Sequence, residues 1–295
     1  MIIKKMSLQN FRGIDEKELN FDGMSAVIFG EDGSGKTTVL DGINMLVEDI
    51  LYAAVNQEKK KYIVMDEADI KENERLAKLD VLLNLKILDQ DFDYETVREK
   101  NGICHEYLDT NAVIFGTMFT RSYIGEEKVD SNGAVEYDFN DKNMPVYAYY
   151  KAGRCVGKKT ANMVNQDNKL GAFEFGQENV MNLEDYDKWF AGRKECQGAM
   201  KVEDISALSD GEKVVLSMVG DLARKMVLAN PSRENPLEGS GIVLVDEVEA
   251  QLDEGWQEEI MSMLVSTFPN VQFIVSTKSK KVLDGVSNNV NVVKL

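Results

Sequence analysis

The chain has 295 residues, of which 43% are hydrophobic and 29% are charged, and its formal net charge is −17. It contains no run of 18 or more apolar residues and no apolar core of a signal peptide, so we expect neither a membrane span nor a secreted protein. The strong negative charge opposes broad, non-specific binding to DNA phosphates, although it does not exclude a local basic patch.

Cysteine and lysine positions add two further expectations. Cys104, Cys155 and Cys196 are far apart and form no C-x-x-C pair, which favours a reducing, cytoplasmic setting. Three lysine clusters could form a basic patch, but each is more typical of a solvated charged surface than of a nucleic-acid contact. These clusters are Lys59-Lys60-Lys61, Lys158-Lys159, and Lys278 with Lys280 and Lys281.

The first 29 residues predict a small sheet. Alternating apolar residues over 3–14, a second run over 18–21 and the apolar run Ser25–Phe29 indicate three strands. A turn at Asp22-Gly23 separates the last two. The third strand leads directly into a glycine-rich stretch.

That stretch, Gly30 to Thr37, reads G-x-x-x-x-G-K-T, the phosphate-binding loop. Its glycines allow backbone conformations in which successive N–H groups turn inward around a phosphate. Lys36 adds positive charge for the β- and γ-phosphates, and Thr37 offers a hydroxyl to Mg²⁺. Helical spacing of apolar residues continues to about Val55. The predicted nucleotide-binding residues of this loop are Gly30, Gly33, Ser34, Gly35, Lys36, Thr37 and Thr38.

The interval between Lys36 and Leu208 reads as strands, loops and short helices, without the sustained heptads of a coiled coil. We expect a strand over 79–88 that pairs with 94–105 through a turn near Gln90-Asp91. A helix within 108–123, an exposed hairpin or loop over 125–142 and a strand over Pro145–Tyr150 follow. Asn182 is a fair N-cap for another helix.

Leu208-Ser209-Asp210-Gly211-Glu212 precedes a clear amphipathic helix that ends at Asn230-Pro231. Ser209 or Asp210 would be an ordinary N-cap, so the motif alone does not separate an anion site from a simple capped helix.

Gly241 to Glu247 is an apolar run that ends in two acids, as expected for a buried parallel strand and its acidic motif. Asp246 would hold Mg²⁺, mostly through water, and Glu247 would polarise the attacking water. A helix and the strand Val271–Thr277 follow, which makes a right-handed strand–helix–strand unit.

The order of these motifs resembles the SMC and RecF-like branch of ABC-type ATPases. The resemblance is carried by "LQNFRGI" (Leu8–Ile14), the phosphate loop, "LSDGE" (Leu208–Glu212) and "LVDEVEAQLD" (Leu244–Asp253). A narrower likeness to the ATPase subunits of bacterial antiviral systems, such as the Septu type, is carried by four segments. They are "MPVYAYYKAGRCV", "DYDKWFAGRKE", "LSDGEKVVLSMVGDLARKMVLANP" and "GWQEEIMSMLVSTFPNVQFIVST".

This resemblance implies an α/β P-loop NTPase of ABC type, with a mixed sheet, an antiparallel N-terminal part and a helical signature lobe. It also implies one domain over 1–295 without coiled-coil arms. We expect its nucleotide-binding core over roughly 1–110 and 200–295, and a variable, helical insert over 111–199.

The resemblance further implies that ATP and Mg²⁺ bind and that two copies sandwich two ATP molecules in a homodimer. Ser209 and Gly211 would contact the γ-phosphate held by the phosphate loop of the second copy. Asp253 would be an acid at the same interface, and Arg12 would lie near the nucleotide. In this scheme Lys36 and Glu247 are catalytic, and Thr37 and Asp246 hold the metal.

The sequence departs from the family's pattern at three points. Lys278 stands where a histidine is usual; lysine can neutralise a γ-phosphate but cannot both donate and accept a proton, so we expect slow hydrolysis. Asp32 stands in the loop where asparagine is usual. No glutamine can be placed as the Mg²⁺-contacting residue; the candidates are Gln90, Gln166 and Gln177.

The sequence is compatible with four functions. The first is a cytoplasmic, ATP-dependent dimerising switch that controls a partner effector, such as a nuclease in antiviral defence. The second is a RecF-like repair or recombination ATPase that acts on DNA directly. The third is the nucleotide-binding subunit of a transporter, and the fourth is a non-catalytic ATP-binding scaffold. Lys36, Asp246 and Glu247 argue against the scaffold, whereas Lys278 favours it.

Overall fold

A computed structural model describes residues 1–55, 65–85, 90–100, 110–129, 131, 135–153, 168–173, 189 and 207–295. The strands in these ranges are β1 (Ile2–Phe11), β2 (Ile14–Asn20), β3 (Ser25–Phe29), β4 (Leu76–Leu85), β5 (Gln90–Glu99), β6 (Gly125–Val129), β7 (Val135–Phe139), β8 (Val146–Tyr150), β9 (Gly241–Val245), β10 (Val271–Thr277) and β11 (Val290–Lys294). The α-helices are α1 (Lys36–Val55), α2 (Thr110–Phe119), α3 (Asp210–Ala229), α4 (Glu254–Thr267) and α5 (Lys280–Asp284). Shorter helical turns cover Glu67–Asp69, Thr120–Ile124, Lys169–Phe173 and Pro236–Glu238.

An antiparallel sheet with the strand order β2-β1-β4-β5 forms the N-terminal part of the fold. Met6 and Leu8 lie two positions apart on β1 and are buried on one face of the strand. Ile3 is also buried, and a register shift between Ile3 and Lys5 separates it from that alternation. The three strands expected before the phosphate loop are confirmed. The turn expected near Gln90-Asp91 is wrong, because both residues lie in β5 and pair with Leu85 and Asn84.

A parallel sheet with the order β11-β3-β10-β9-β8 forms the second layer of strands. All residues of β9 and β10 are buried, as expected for parallel strands covered on both faces. The carboxyl ends of β3, β8, β9 and β10 therefore meet at one edge, where open α/β sheets bind their ligands.

Gln272 of β10 joins the two sheets. Its buried side-chain amide accepts from the backbone N–H of Ile3 at 2.7 Å and donates to the carbonyl oxygens of Ile3 at 2.8 Å and Met24 at 3.0 Å. The fold is thus α/β with an antiparallel N-terminal part, as expected, and its antiparallel and parallel strands form separate hydrogen-bonded sheets.

The helices and the hairpin agree with the sequence patterns where the structure describes them. Helix α1 ends at Val55 as predicted, α2 passes into a π-helical turn, and β6 and β7 form the hairpin expected over 125–142. Apart from Trp189, the helix expected after Asn182 lies outside the described residues. The division into a core and an insert stays a prediction; β8, within 111–199, is a strand of the parallel sheet.

No helix of the described ranges is both long enough and apolar enough to cross a membrane.

Candidate nucleotide-binding site

The loop between β3 and α1 has the backbone that its glycines predict. Gly33 and Gly35 have φ angles of 79° and 96°, in the left-handed region that favours glycine. A Cβ at Gly30 would lie 2.4 Å from Ser34 Oγ, so a side chain at that position would displace the Ser34 hydroxyl. The N–H of Gly30 donates to the carbonyl of Thr277 at 3.2 Å, which ties the loop to the end of β10.

Lys36, the first residue of α1, folds back over this loop. Its Nζ donates to the carbonyl oxygens of Gly30 at 2.8 Å and Glu31 at 2.7 Å, and the residue is 7% exposed. Ser34 Oγ is buried and has no hydrogen-bond partner among the described residues. A phosphate in the loop would offer acceptors to both groups, and Thr38 lies on the first turn of α1 beside them.

Asp246 lies directly after β9 and is 1% exposed. Its Oδ2 accepts from Thr37 Oγ1 at 2.8 Å, and its Oδ1 accepts from Ser276 Oγ at 2.5 Å. The contact joins the phosphate loop to the acidic motif, although 209 positions separate the two residues in sequence. A hydroxyl and a carboxylate are the hard oxygen ligands that Mg²⁺ prefers, so this pair fits the metal predicted for Thr37 and Asp246.

Glu247 is held in a strained backbone conformation with φ of 48°. Its N–H donates to Ser276 Oγ at 2.8 Å, and the same hydroxyl donates to Asp246. One buried serine on β10 therefore fixes both acids. Sequence reasoning missed Ser276; the available signal was a polar residue at the end of an otherwise apolar buried strand.

Lys278 lies just beyond the end of β10 and reaches back to the phosphate loop. Its Nζ is 2.9 Å from Asp32 Oδ2 and 3.0 Å from Asp32 Oδ1, while its N–H donates to Glu249 Oε1 at 3.0 Å. The ion pair lowers the pKa of Asp32 and raises that of Lys278. Two residues that depart separately from the family's pattern are thus partners in space.

Arg12 lies in the turn between β1 and β2, with φ of 51°. Its guanidinium donates to Asp69 Oδ1 at 2.8 Å and to Asp41 Oδ2 at 2.5 Å. Asp41 is one helical turn beyond Thr37 on α1. The arginine predicted to lie near the nucleotide is therefore joined to the helix that follows the phosphate loop, through an acid that the sequence analysis did not single out.

Ser209 caps α3 with a complete capping box. Its Oγ accepts from the N–H of Glu212 at 3.2 Å, and its own N–H donates to Glu212 Oε2 at 2.8 Å. A Cβ on Gly211 would lie 2.3 Å from the carbonyl oxygen of Gln251, so the start of α3 packs tightly on the loop before α4. Asp253 caps α4 by accepting from the N–H of Trp256 at 3.0 Å.

Within one chain, Ser209 and Asp253 act as helix caps. Their contacts with a second copy stay predictions. Among the candidate glutamines, Gln90 lies in β5 of the antiparallel sheet, while Gln166 and Gln177 lie outside the described residues. The carboxyl edge of the parallel sheet therefore gathers Lys36, Thr37, Asp246, Glu247 and Lys278.

The family model of the RecF/RecN/SMC N terminal domain matches residues 2–295. The Septu protein PtuA of Bacillus mycoides (strain KBAB4) is 23% identical over 295 residues, which is 96% of this chain and 39% of that protein. The Retron Vc95 probable ATPase of Vibrio cholerae serotype O1 biovar El Tor is 52% identical over 81 residues, or 28% of this chain and 16% of that protein.

Solved structures give the same fold. The SMC head domain from Thermotoga maritima aligns with 97% of this chain and 93% of its own length, at a TM-score of 0.51 and 16% identity. The chain spans less than half the length of the curated relatives described above.

Proposed function

Because this chain belongs to the RecF/RecN/SMC N-terminal domain family, we propose that it binds and hydrolyses ATP and acts as an ATP-dependent dimerising switch. The observation that carries the proposal is the 2.8 Å hydrogen bond between Thr37 Oγ1 and Asp246 Oδ2. It brings together the two side chains that phosphoryl transfer with Mg²⁺ requires, beside the buried ammonium of Lys36.

The phosphate loop would bind the triphosphate through its backbone N–H groups and the start of α1. Lys36 now donates to two carbonyl oxygens of its own loop, and phosphate oxygens would replace them as acceptors. Because the ammonium is almost fully buried, its attraction to a phosphate would be screened little by solvent.

Thr37 and Asp246 would hold Mg²⁺, which neutralises charge on the phosphates when it is bound. The described part of the chain contains no group of three or more His, Cys, Asp or Glu side chains that could hold a metal alone. This fits a metal that takes its other ligands from the nucleotide and from water, as Mg²⁺ usually does.

Glu247 would orient the attacking water from its strained position beside Asp246. Lys278 lies close enough to Glu247 for the two charges to interact, and it contributes positive charge without an imidazole's ability to exchange a proton. We therefore propose a slow ATPase, in which ATP occupancy lasts long enough to serve as the signal.

Two copies would enclose two ATP molecules, with Ser209, Gly211 and Asp253 of one copy facing the phosphate loop of the other. The name of one relative, a retron probable ATPase, supports ATP hydrolysis. We propose that a protein partner reads the nucleotide state. We propose an effector, such as a nuclease, as that partner, and a cytoplasmic setting.

The test is the mass of the purified protein by light scattering with Mg-ATP, for wild type, Lys36→Ala and Glu247→Gln. We expect Glu247→Gln to dimerise with ATP and Lys36→Ala to remain monomeric. Phosphate release should be lost in both variants. A mass that nucleotide leaves unchanged in every variant would overturn the dimerising switch, and undiminished phosphate release by Glu247→Gln would overturn its catalytic role.

A further inference from the structure

Two adjacent tyrosines at the end of β8 reach in opposite directions. Tyr149 Oη donates to Asp41 Oδ1 on α1 at 2.9 Å, and Tyr150 Oη donates to Asp221 Oδ2 on α3 at 2.8 Å. Successive side chains of a strand point to opposite faces of the sheet, so adjacent residues can contact helices on its two sides. The pair thus links the helix after the phosphate loop to the helix that Ser209 caps.

The Tyr149 end of this link is close to the phosphate site. Asp41 is one turn beyond Thr37, and its second carboxylate oxygen accepts from Arg12 at 2.5 Å. Burial raises the pKa of Tyr149, so its hydroxyl stays protonated and keeps donating at neutral pH. A displacement of the start of α1 would therefore carry Asp41, and with it the hydroxyl of Tyr149.

The Tyr150 end meets both the metal acid and α3. The carbonyl oxygen of Tyr150 accepts from the N–H of Asp246 at 2.8 Å. Asp221, which accepts from its hydroxyl, lies about three turns beyond Ser209 along α3. Burial also raises the pKa of Tyr150, so this donor persists as well.

The position of β8 in the sheet allows such a link to move. Among the strands that the structure describes, it is the last in the order β11-β3-β10-β9-β8 and pairs with β9 on one side. An edge strand is held by one ladder of hydrogen bonds, so its end can shift with less disruption than that of a central strand.

A third tyrosine of β8 shows what a simple anchoring contact looks like. Tyr147 is buried, and its Oη donates to Asn44 Oδ1 on α1 at 2.7 Å. Changing Tyr147 to phenylalanine removes the same kind of hydroxyl, and Tyr147 contacts the same helix as Tyr149. Its hydroxyl donates to Asn44, whereas those of Tyr149 and Tyr150 donate to Asp41 and Asp221.

We propose that Tyr149 and Tyr150 are positioning residues that couple occupancy of the phosphate loop to the placement of α3, and hence of Ser209 and Gly211. The coupling rests on the proposed function, because it needs ATP in the loop. It is reciprocal: whatever fixes the start of α3, including a second copy, should tighten ATP binding by the same factor.

The experiment uses the full chain with Tyr149→Phe, Tyr150→Phe, the double variant and Tyr147→Phe as the matched control. Binding of Mg-ATP is measured by calorimetry in a Glu247→Gln background, where we propose hydrolysis to be blocked. Backbone hydrogen exchange is measured over 36–41 and 208–215, with and without nucleotide. In the protein with all three tyrosines unchanged, we expect ATP to slow exchange over both 36–41 and 208–215.

In each tyrosine variant we expect exchange over 36–41 to slow as before, while the ATP-dependent effect over 208–215 falls roughly five- to tenfold. The double variant should be no worse than the stronger single variant, because the two hydroxyls act in series. Tyr147→Phe should keep the full effect at both segments, which a merely structural role of these hydroxyls would not produce.

The possible results distinguish failure of the coupling from failure of the proposed function. The coupling alone is overturned if ATP binds to the protein with unchanged tyrosines but does not alter hydrogen exchange over 208–215. It is also overturned if the double variant keeps the full ATP-dependent effect there. An equal loss in Tyr147→Phe also overturns it, because the effect would then be one of general stability. Absence of ATP binding altogether overturns the proposed function, and the coupling with it.

Discussion

The ammonium of Lys278 lies 2.9 Å from the carboxylate of Asp32, so a cation beyond the last buried strand is paired with an anion in the phosphate loop. Both side chains are exposed, and an exposed pair of this kind contributes little to stability. Its consequence is instead electrostatic, because it places one negative and one positive charge beside the loop proposed to bind a triphosphate.

We expect Asp32→Asn to tighten ATP binding by about three- to tenfold, because it removes a negative charge and frees Lys278 to approach the γ-phosphate. The gain should shrink as salt is raised. Equilibrium binding of Mg-ATP at two salt concentrations measures both effects. Asp32→Asn in a Lys278→Gln background is the control, and the gain should be smaller there. Weaker binding by the single variant would contradict the prediction.

Ser276→Ala should reduce both stability and phosphate release. The change removes the two buried hydrogen bonds that Ser276 Oγ makes with Asp246 Oδ1 and the N–H of Glu247, at a cost of about 1–3 kcal/mol. Urea denaturation measures the first effect and a phosphate-release assay the second. Ser266→Ala is the matched control, because Ser266 is exposed and its hydroxyl donates to the carbonyl of Met263 on its own helix. Equal effects of the two changes would contradict the role given to Ser276.

The unfolding free energy should fall as pH rises from about 4 to about 7, in part through Asp80 on β4. Burial and the hydrogen bond with Asp93 raise the pKa of Asp80 to about 7. A carboxyl whose pKa is raised by folding binds its proton more tightly in the folded state, so its unfavourable contribution is complete above the folded pKa. Solvent screening at this half-buried site reduces the effect to about 1 kcal/mol.

Asp80→Asn should therefore stabilise the protein at pH 8 and flatten this slope, as measured by urea denaturation at a series of pH values. Asp91→Asn is the control: the ion pair with Lys4 lowers the pKa of Asp91, so its stabilising contribution is lost only as pH falls below about 4. A slope between pH 4 and 7 that Asp80→Asn leaves unchanged would show that other groups produce it.

Gly211→Ala should destabilise the contact between α3 and the loop before α4 by about 1–3 kcal/mol, because backbone atoms must move apart. The new Cβ would lie 2.3 Å from the carbonyl oxygen of Gln251. Gly255→Ala, in the first turn of α4, places a Cβ 3.4 Å from Asp253 Oδ1 and should be nearly neutral. Thermal unfolding of the two variants makes the comparison, and similar melting temperatures would contradict it.

The sequence predicted those parts of the site whose residues lie next to one another along the chain. The phosphate loop, the strand before it, the acids after β9 and the cap at Ser209 each follow from a local pattern of glycines, apolar runs or capping residues. Lys278 and Asp32 are 246 positions apart, and their pairing could not be read from either neighbourhood. The role of Ser276 depends likewise on the alignment of β9 and β10.

The errors and omissions in the fold have the same origin. The start of β5 at Gln90 is set by pairing with β4 and not by the polar residues that suggested a turn there. The separation of antiparallel and parallel strands into two sheets depends on which edges meet, and side-chain periodicity carries no information on that choice.

The place of β3 in its sheet has a consequence for biosynthesis. This strand is translated long before its two partners, β10 on one side and β11 on the other. Both of its hydrogen-bonding edges therefore stay open on the ribosome until residues 271–294 have been translated. The phosphate loop cannot close before then, and a nascent chain with such an exposed apolar strand is a natural client for chaperones.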